Sequence, residues 1–289
     1  MKKIVLLLIT VSFAFSLFGC ENKDEQSNSD INDISSDISE VSQTETTKKL
    51  VSKTIAKNGT GEITQTNEIE YNAFGQQTMI KTVTKDETVY NYITYDKNGY
   101  ESEYITKNEK GEIQAHHQYE RYDDGYVKVW RALDKNGNVL NEYKIDLEYD
   151  DQGRKVKVYT DGELSQYYTY DEQGNATERR PNTEAYNIYD KDNNKIEAHD
   201  GDYHMVCSYE DGKPIEARAT RGENTYITAY EYDGDLLLTQ TNYENGEVTL
   251  KYIYEYDADG DVIKQTTQNA LGIATNINVY EYAEFPIDE

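Results

Sequence analysis

The chain has 289 residues, 55 acidic against 29 basic, for a formal net charge of −26. That acidity excludes a general nucleic-acid binder, which needs clustered Lys and Arg to meet phosphate, and three prolines exclude a Pro-rich stalk. Val, Leu, Ile and Phe make up just under a fifth of the chain, a composition bordering on disorder at such a charge. The 28 Tyr argue for folding, because each ring buries apolar surface while its hydroxyl stays wet.

Residues 1–19 begin with Lys2 and Lys3, run apolar from Ile4 to Phe18, and lead through Gly19 to Cys20. A basic start, an apolar core of about 15 residues and a small residue at the cut describe a secretory signal. The run falls short of the roughly 20 apolar residues of a membrane span. Its ending resembles the lipobox of bacterial lipoproteins, with Phe18 where that family prefers a small residue. The resemblance implies that Cys20 is the lipidated first residue of an exported bacterial protein held at the cell membrane and surface by its acyl chains. Loss of residues 1–19 removes Lys2 and Lys3 and no acid, deepening −26 to −28. Only Cys20 and Cys207 are present. With Cys20 acylated no intrachain disulfide remains, and Cys207 reads as a small buried side chain rather than a nucleophile.

Residues 20–49 carry the lipidated Cys and then a stretch dominated by Ser, Asp, Glu, Asn and Thr, the composition of a flexible, solvated tether. Ile31, Ile34, Ile38 and Val41 fall at helical spacing, but the Ser and Asp between them favour caps and turns over helix interiors.

Residues 50–289 form the folded domain, and they repeat. A Tyr followed by an acidic or amide turn recurs with anchors at Tyr71, Tyr95, Tyr122, Tyr149, Tyr170, Tyr189, Tyr209, Tyr232, Tyr256 and Tyr282. The full forms are Tyr71-Asn72-Ala73-Phe74-Gly75, Tyr95-Asp96-Lys97-Asn98-Gly99, Tyr149-Asp150-Asp151-Gln152-Gly153, Tyr170-Asp171-Glu172-Gln173-Gly174 and Tyr256-Asp257-Ala258-Asp259-Gly260. Asp at the head of a turn accepts a hydrogen bond from backbone two residues on, and Gly supplies the positive φ that closes it. Between these turns lie others at Lys110-Gly111, Asn136-Gly137, Asp161-Gly162, Asp200-Gly201, Gly222-Glu223, Asn245-Gly246 and Ala270-Leu271-Gly272, and Asn-Gly or Asp-Gly between alternating runs marks a hairpin. A two-residue turn at Asn245-Gly246 sets Tyr243 against Val248, Thr241 against Leu250 and Thr239 against Tyr252. The Asn136-Gly137 hairpin sets Trp130 against Tyr143 and Arg131 against Glu142, a favourable cross-strand charge pair. The expectation is an all-β, antiparallel hairpin meander of about 20 strands, more than an open sheet holds flat. Right-handed twist should curl it into a rolled or spiral sheet with its Tyr-rich face inward.

The Tyr-Asp-x-x-Gly units resemble YD repeats of the RHS type over about residues 60–282. The resemblance implies spiralling β-sheet walls, which in the largest relatives close as shells around a toxin. This chain lacks the conserved core and C-terminal toxin region of a shell, and looks like a small, lipid-anchored relative. The resemblance also implies carbohydrate or cell-surface binding, with no residue roles to transfer.

Little in the chain points to catalysis. No Gly-rich phosphate loop precedes a helix and no Gly-x-Ser-x-Gly occurs, and the many carboxylates single out no pair for glycoside hydrolysis. His199 and His204 flank the Asp200-Gly201-Asp202 turn. They face each other, as a weak metal site would need, if the turn closes on Gly201-Asp202; closing on Asp200-Gly201 sets His204 against Glu197 instead. Asp257, Asp259 and Asp261, like Asp134, Asn136 and Asn138, alternate as calcium ligands do, but their glycines come two positions early for an EF-hand and no bidentate Glu follows; weak Ca²⁺ binding is the most they suggest, and no other cofactor is expected. Tyr167 and Tyr168 are adjacent, hence on opposite faces, so at least one lies off the inner face as a candidate ligand-facing ring. The reading is a non-catalytic, lipid-anchored surface protein that binds carbohydrate or another envelope ligand. A protein-interaction module using exposed strand edges and a structural envelope spacer are the alternatives, with a glycan hydrolase last.

Overall fold

A computed structural model describes residues 46–287; the signal, Cys20 and the tether through residue 45 lie outside the described residues. Within them every element is a strand. The first ten are β1 (Thr46–Asn58), β2 (Ile63–Tyr71), β3 (Gln77–Thr84), β4 (Thr88–Tyr95), β5 (Glu101–Asn108), β6 (Ile113–Arg121), β7 (Val127–Leu133), β8 (Val139–Tyr149), β9 (Lys155–Thr160) and β10 (Glu163–Tyr170). They continue as β11 (Ala176–Arg179), β12 (Tyr186–Tyr189), β13 (Lys195–Asp200), β14 (Tyr203–Glu210), β15 (Lys213–Arg221), β16 (Asn224–Asp233), β17 (Leu236–Glu244), β18 (Glu247–Tyr256), β19 (Val262–Asn269) and β20 (Ala274–Ile287).

The expected strand number and antiparallel order hold, but the sheet is not an open curl or spiral. Strand β20 returns to pair with β1, from Thr46 opposite Ile287 to Asn58 opposite Asn276, and the sheet closes into a barrel. Two long edges would otherwise expose rows of unpaired N–H and C=O groups, and closure removes both. At about 4.8 Å per strand the ring is roughly 100 Å round and roughly 30 Å across, too wide for side chains to fill. Accordingly, no described side chain is less than 2% exposed. The wall is tallest at the seam, where β1 and β20 have 13 and 14 residues, and lowest at β11 and β12, with four each.

One five-residue turn is used at both ends of the barrel. Its first residue, Asp or Asn, accepts through Oδ1 from the backbone N–H groups two and four residues on. Examples are Asp96 with Asn98 and Tyr100, Asp150 with Gln152 and Arg154, Asn58 with Thr60 and Glu62, and Asn269 with Leu271 and Ile273. The fourth residue has φ near +85° in Gly137 and +88° in Gly260, a region open to Gly and closed to most side chains. The turns at Asn136-Gly137 and Ala270-Leu271-Gly272 are thus the same device as the Tyr-Asp turns.

A bulge accompanies most repeat units. Glu70 and Tyr71 oppose Met79 and Gln77, so Thr78 is the extra residue; Ser102, Ile196, Ile215 and Ile263 hold the same place in β5, β13, β15 and β19. Each bulge bends its strand and adds twist, which favours closure. A bulge also corrects the Asn245-Gly246 hairpin. Tyr243 opposes Val248 as expected, but Thr249 is then extra, its hydroxyl donating to the Asn242 carbonyl, and Thr241 opposes Lys251 while Gln240 opposes Tyr252. In the Asn136-Gly137 hairpin the expected pairs, Trp130 with Tyr143 and Arg131 with Glu142, are present.

The two faces differ chemically. One carries the repeat Tyr with Ile, Asn, Gln and Thr, joined by amide contacts such as Asn67 Nδ2 to Thr54 Oγ1 and Asn278 Nδ2 to Gln265 Oε1. The other carries cross-strand ion pairs: Lys81–Glu68, Lys157–Glu148, Lys264–Glu255, and Arg131 bridging Glu120 and Glu142. Contacts that jump a strand lie on the Tyr face. Tyr71 meets Phe285 at 4.8 Å across β1, and Lys155 reaches the Tyr126 ring at 4.2 Å across β8. Next-nearest strands stand about 9.6 Å apart in a flat sheet, so the Tyr face is the concave one.

Candidate ligand-binding site on the concave wall

The repeat tyrosines form a ladder. Tyr71, Tyr95, Tyr170, Tyr209, Tyr232, Tyr256 and Tyr282 each donate a hydroxyl hydrogen bond to a backbone carbonyl of the preceding strand: those of Val51, Gln77, Lys155, Lys195, Pro214, Leu237 and Val262. Three anchors depart from this. Tyr149 and Tyr189 donate to carboxylates, of Asp124 and Glu178. Tyr122 heads its turn, and Arg121 stands in the anchor's place, its Nε donating to the Glu101 carbonyl and an Nη to that of Gly125.

On the concave wall of β9 to β12, a cleft of about 340 Å³ is lined by Tyr168, Tyr170, Tyr189, Lys155, Glu178 and Asp190. The Glu178 carboxylate gathers the Tyr168 and Tyr189 hydroxyls at 3.5 and 3.3 Å and the Gln166 amide at 3.3 Å. Lys155 lies over the rings of Tyr126 and Tyr168 at 4.2 and 4.9 Å. Burial holds its ammonium below the usual lysine range, and burial, then the Glu178 charge, pushes the Tyr126, Tyr168 and Tyr189 phenols up. The cleft therefore offers aromatic surface, two lysines (Lys155 and Lys191), two carboxylates (Glu178 and Asp190) and phenols that stay protonated. A second hollow of about 390 Å³ on the same face, between β14 and β16, has an alanine floor with Tyr203, Tyr226 and Arg221 around it.

Tyr168 faces this cleft, whereas Tyr167, opposite Arg179 and Lys157, points to the outer face. The turn between β13 and β14 closes on Gly201-Asp202, so His199 does oppose His204. Their rings are 6.3 Å apart. His199 stacks on Tyr186, and His204 Nε2 lies 3.0 Å from Glu197 Oε1, a carboxyl held low by the Tyr186 hydroxyl and His204. Asp257, Asp259 and Asp261 do converge, but on Lys49, whose Nζ lies 2.8 Å from each; an ammonium from β1 fills the place a cation would take. Asp134 spends its carboxylate on the backbone N–H groups of Asn136 and Asn138 and the Asn138 side chain. Cys207 is half-buried on the concave face, its thiol pushed up by burial. Lys155 and Glu178 were not recognisable in the sequence: neither lies in a motif, and only curvature across several strands unites them.

The sequence matches no known protein family and no curated protein. Among solved structures, porin-like proteins from Bacteroides uniformis and Bacteroides vulgatus share 14% and 10% identity, each alignment covering 81% of this chain and 98% of the other at a TM-score of 0.36. A TcdB2-TccC3 structure aligns over 78% of this chain and 16% of its own at 12% identity and a TM-score of 0.32.

Proposed function

We propose that the chain is an exported protein, anchored through a lipidated Cys20, that displays its barrel at the bacterial surface as a non-catalytic carbohydrate-binding module. The observation that carries this reading is the cleft of Tyr168, Tyr170 and Tyr189 with Lys155 and Glu178. Aromatic faces suit the C–H faces of sugar rings, while a carboxylate, an ammonium and phenols meet hydroxyls. Its volume falls at the small end of ligand sites, which span about 300–1,000 Å³.

The test is binding of the mature chain to an array of glycans and cell-wall polysaccharides, with calcium and with chelator. Saturable binding to one sugar class is expected, weakened at least about tenfold by Tyr189→Ala and by Glu178→Gln and unchanged by Tyr92→Ala on the outer face. Chelator should have no effect, because Lys49 already occupies the acidic turn. Silence across the array from protein that is β-rich by circular dichroism overturns the reading and leaves a protein partner or a spacer role in its place.

A further inference from the structure

Closure removes the two ends of the sheet, yet stretches of edge survive within the ring: at the seam, where β1 before Lys53 has no β2 partner and β20 beyond Val279 no β19 partner, and on β8. Strand β8 runs from Val139 to Tyr149, but β9 pairs only with Ile145–Tyr149. The following hairpin turns back at Asp161-Gly162, where the Asp161 N–H donates to the Lys144 carbonyl at 2.8 Å and Lys144 N–H to Asp161 Oδ1 at 2.9 Å. Lys144 thus aims its backbone groups away from β7. By the period-two alternation of a strand, Glu142 aims its N–H and C=O the same way, with no strand alongside. The β7–β8 hairpin therefore stands above its neighbours as half of an unfinished sheet. Among the described residues nothing covers it: residues 135–144 are all exposed, with Val139 at 53%, Leu140 at 63% and Tyr143 at 45%.

We infer that this edge is a docking strand for an extended basic polypeptide segment with apolar residues at alternate positions. The backbone of Glu142 and its neighbours would pair with the incoming strand, as in binding by strand addition. The alternation of apolar and charged residues follows from the two faces of β8. Tyr143 continues the concave aromatic row formed with His117 and Trp130, whose rings are 5.4 and 5.3 Å apart in succession, and Glu142 lies on the outer, charged face. The basic character follows from charge: Asp146, Asp161 and Glu163 are exposed around the notch, while the one lysine on this stretch of β8, Lys144, is paired with Glu142 at 3.4 Å, on a chain of net −26. A second copy of this acidic chain would meet like charge at that edge.

The test uses the mature chain with three synthetic peptides of the same Val and Lys content: one alternating Val and Lys, one with the same residues in two blocks, and one alternating but N-methylated at every second residue. The alternating peptide should bind saturably, and the blocked and N-methylated forms at least about tenfold more weakly. Glu142→Pro should weaken the alternating peptide similarly, because the lost N–H is the edge donor and edge strands tolerate Pro. If that variant fails to fold, the peptide comparison still decides, since it leaves the protein untouched. Equal binding of all three peptides, or of none, overturns the inference. So does self-association of the chain that Glu142→Pro abolishes, which would make a second copy the occupant.

Discussion

At the residue scale, the repeat tyrosine is a hydrogen-bonding brace as much as a hydrophobic filler. Its ring covers the concave wall while its hydroxyl satisfies a carbonyl beside the bulge, where the ladder is interrupted. Tyr256→Phe leaves the Leu237 carbonyl without the 2.7 Å bond it accepts and should cost about 1 kcal/mol, read as a lower urea midpoint at unchanged slope. Tyr149→Phe, whose hydroxyl meets the exposed Asp124 carboxylate at 2.9 Å, should change the midpoint much less. Arg121 shows that the job is donation rather than aromaticity, because its guanidinium reaches the Glu101 carbonyl at 2.8 Å just as the tyrosines reach theirs. Arg121→Ala should therefore destabilise more than Tyr256→Phe: it removes two backbone partners and uncovers Glu101, whose carboxyl burial already pushes up and Arg121 pulls back. Equal midpoints for the two variants would remove the bracing role. The tyrosine spacing was plain in the sequence. The substitution of Arg121 was not, because Tyr122-Asp123-Asp124-Gly125 imitates the motif one position late.

At the element scale, the five-residue turn links stability to pH. Asp134 and Asp150 sit below the ordinary carboxylate range, Asp134 through the Asn138 side chain and turn amides, and Asp150 through the Arg154 backbone and guanidinium. A carboxyl depressed by folding contributes stability that is complete above the unfolded Asp value of about 3.9 and is lost as pH falls through the folded value. The melting temperature should therefore be nearly flat from about pH 7 to 5 and fall steeply below about pH 4. Asp134→Asn combined with Asp150→Asn should flatten the fall, because Asn fills the same position at Asn58, Asn72, Asn108 and Asn269 with the same backbone contacts and no titration. An unchanged acid slope in that variant would place the pH dependence elsewhere. These turns were legible because Asp, Asn and Gly carry a local mechanism. The bulges were not: Thr78 or Ile215 looks like any strand residue, and only the pairing partner shows it to be extra. One unseen bulge, at Thr249, shifted the expected register of the hairpin past Tyr243.

At the scale of the whole molecule, closure follows from many small rotations. Strand β1 resembles its neighbours in composition, and nothing in it marks Val51 as the partner of Tyr282. That pairing depends on twist and bulges accumulated over every strand between them, so the sequence supported a curl but not its end point. The result is opposite to a lipid-facing barrel, which turns an apolar band outward and a polar lining inward. Here the outer wall carries ion pairs and the inner wall carries tyrosines and amides, the reverse of that pattern. The seam is fastened by twelve residue pairs between β1 and β20 and by Lys49 reaching over β20 to the Asp257 turn. Deleting residues 46–58 should cut both at once, turning the ring into an open sheet whose edges, β2 and β20, present unpaired ladders to other copies. Sedimentation should then show concentration-dependent association, while circular dichroism keeps its β signature. Lys49→Met should not cause association, since it leaves the backbone pairing intact and removes only the partly exposed ion pairs to Asp257, Asp259 and Asp261. A deletion variant that stays monomeric and β-rich would mean that the β1–β20 ladder is dispensable, and that curvature alone protects the edges.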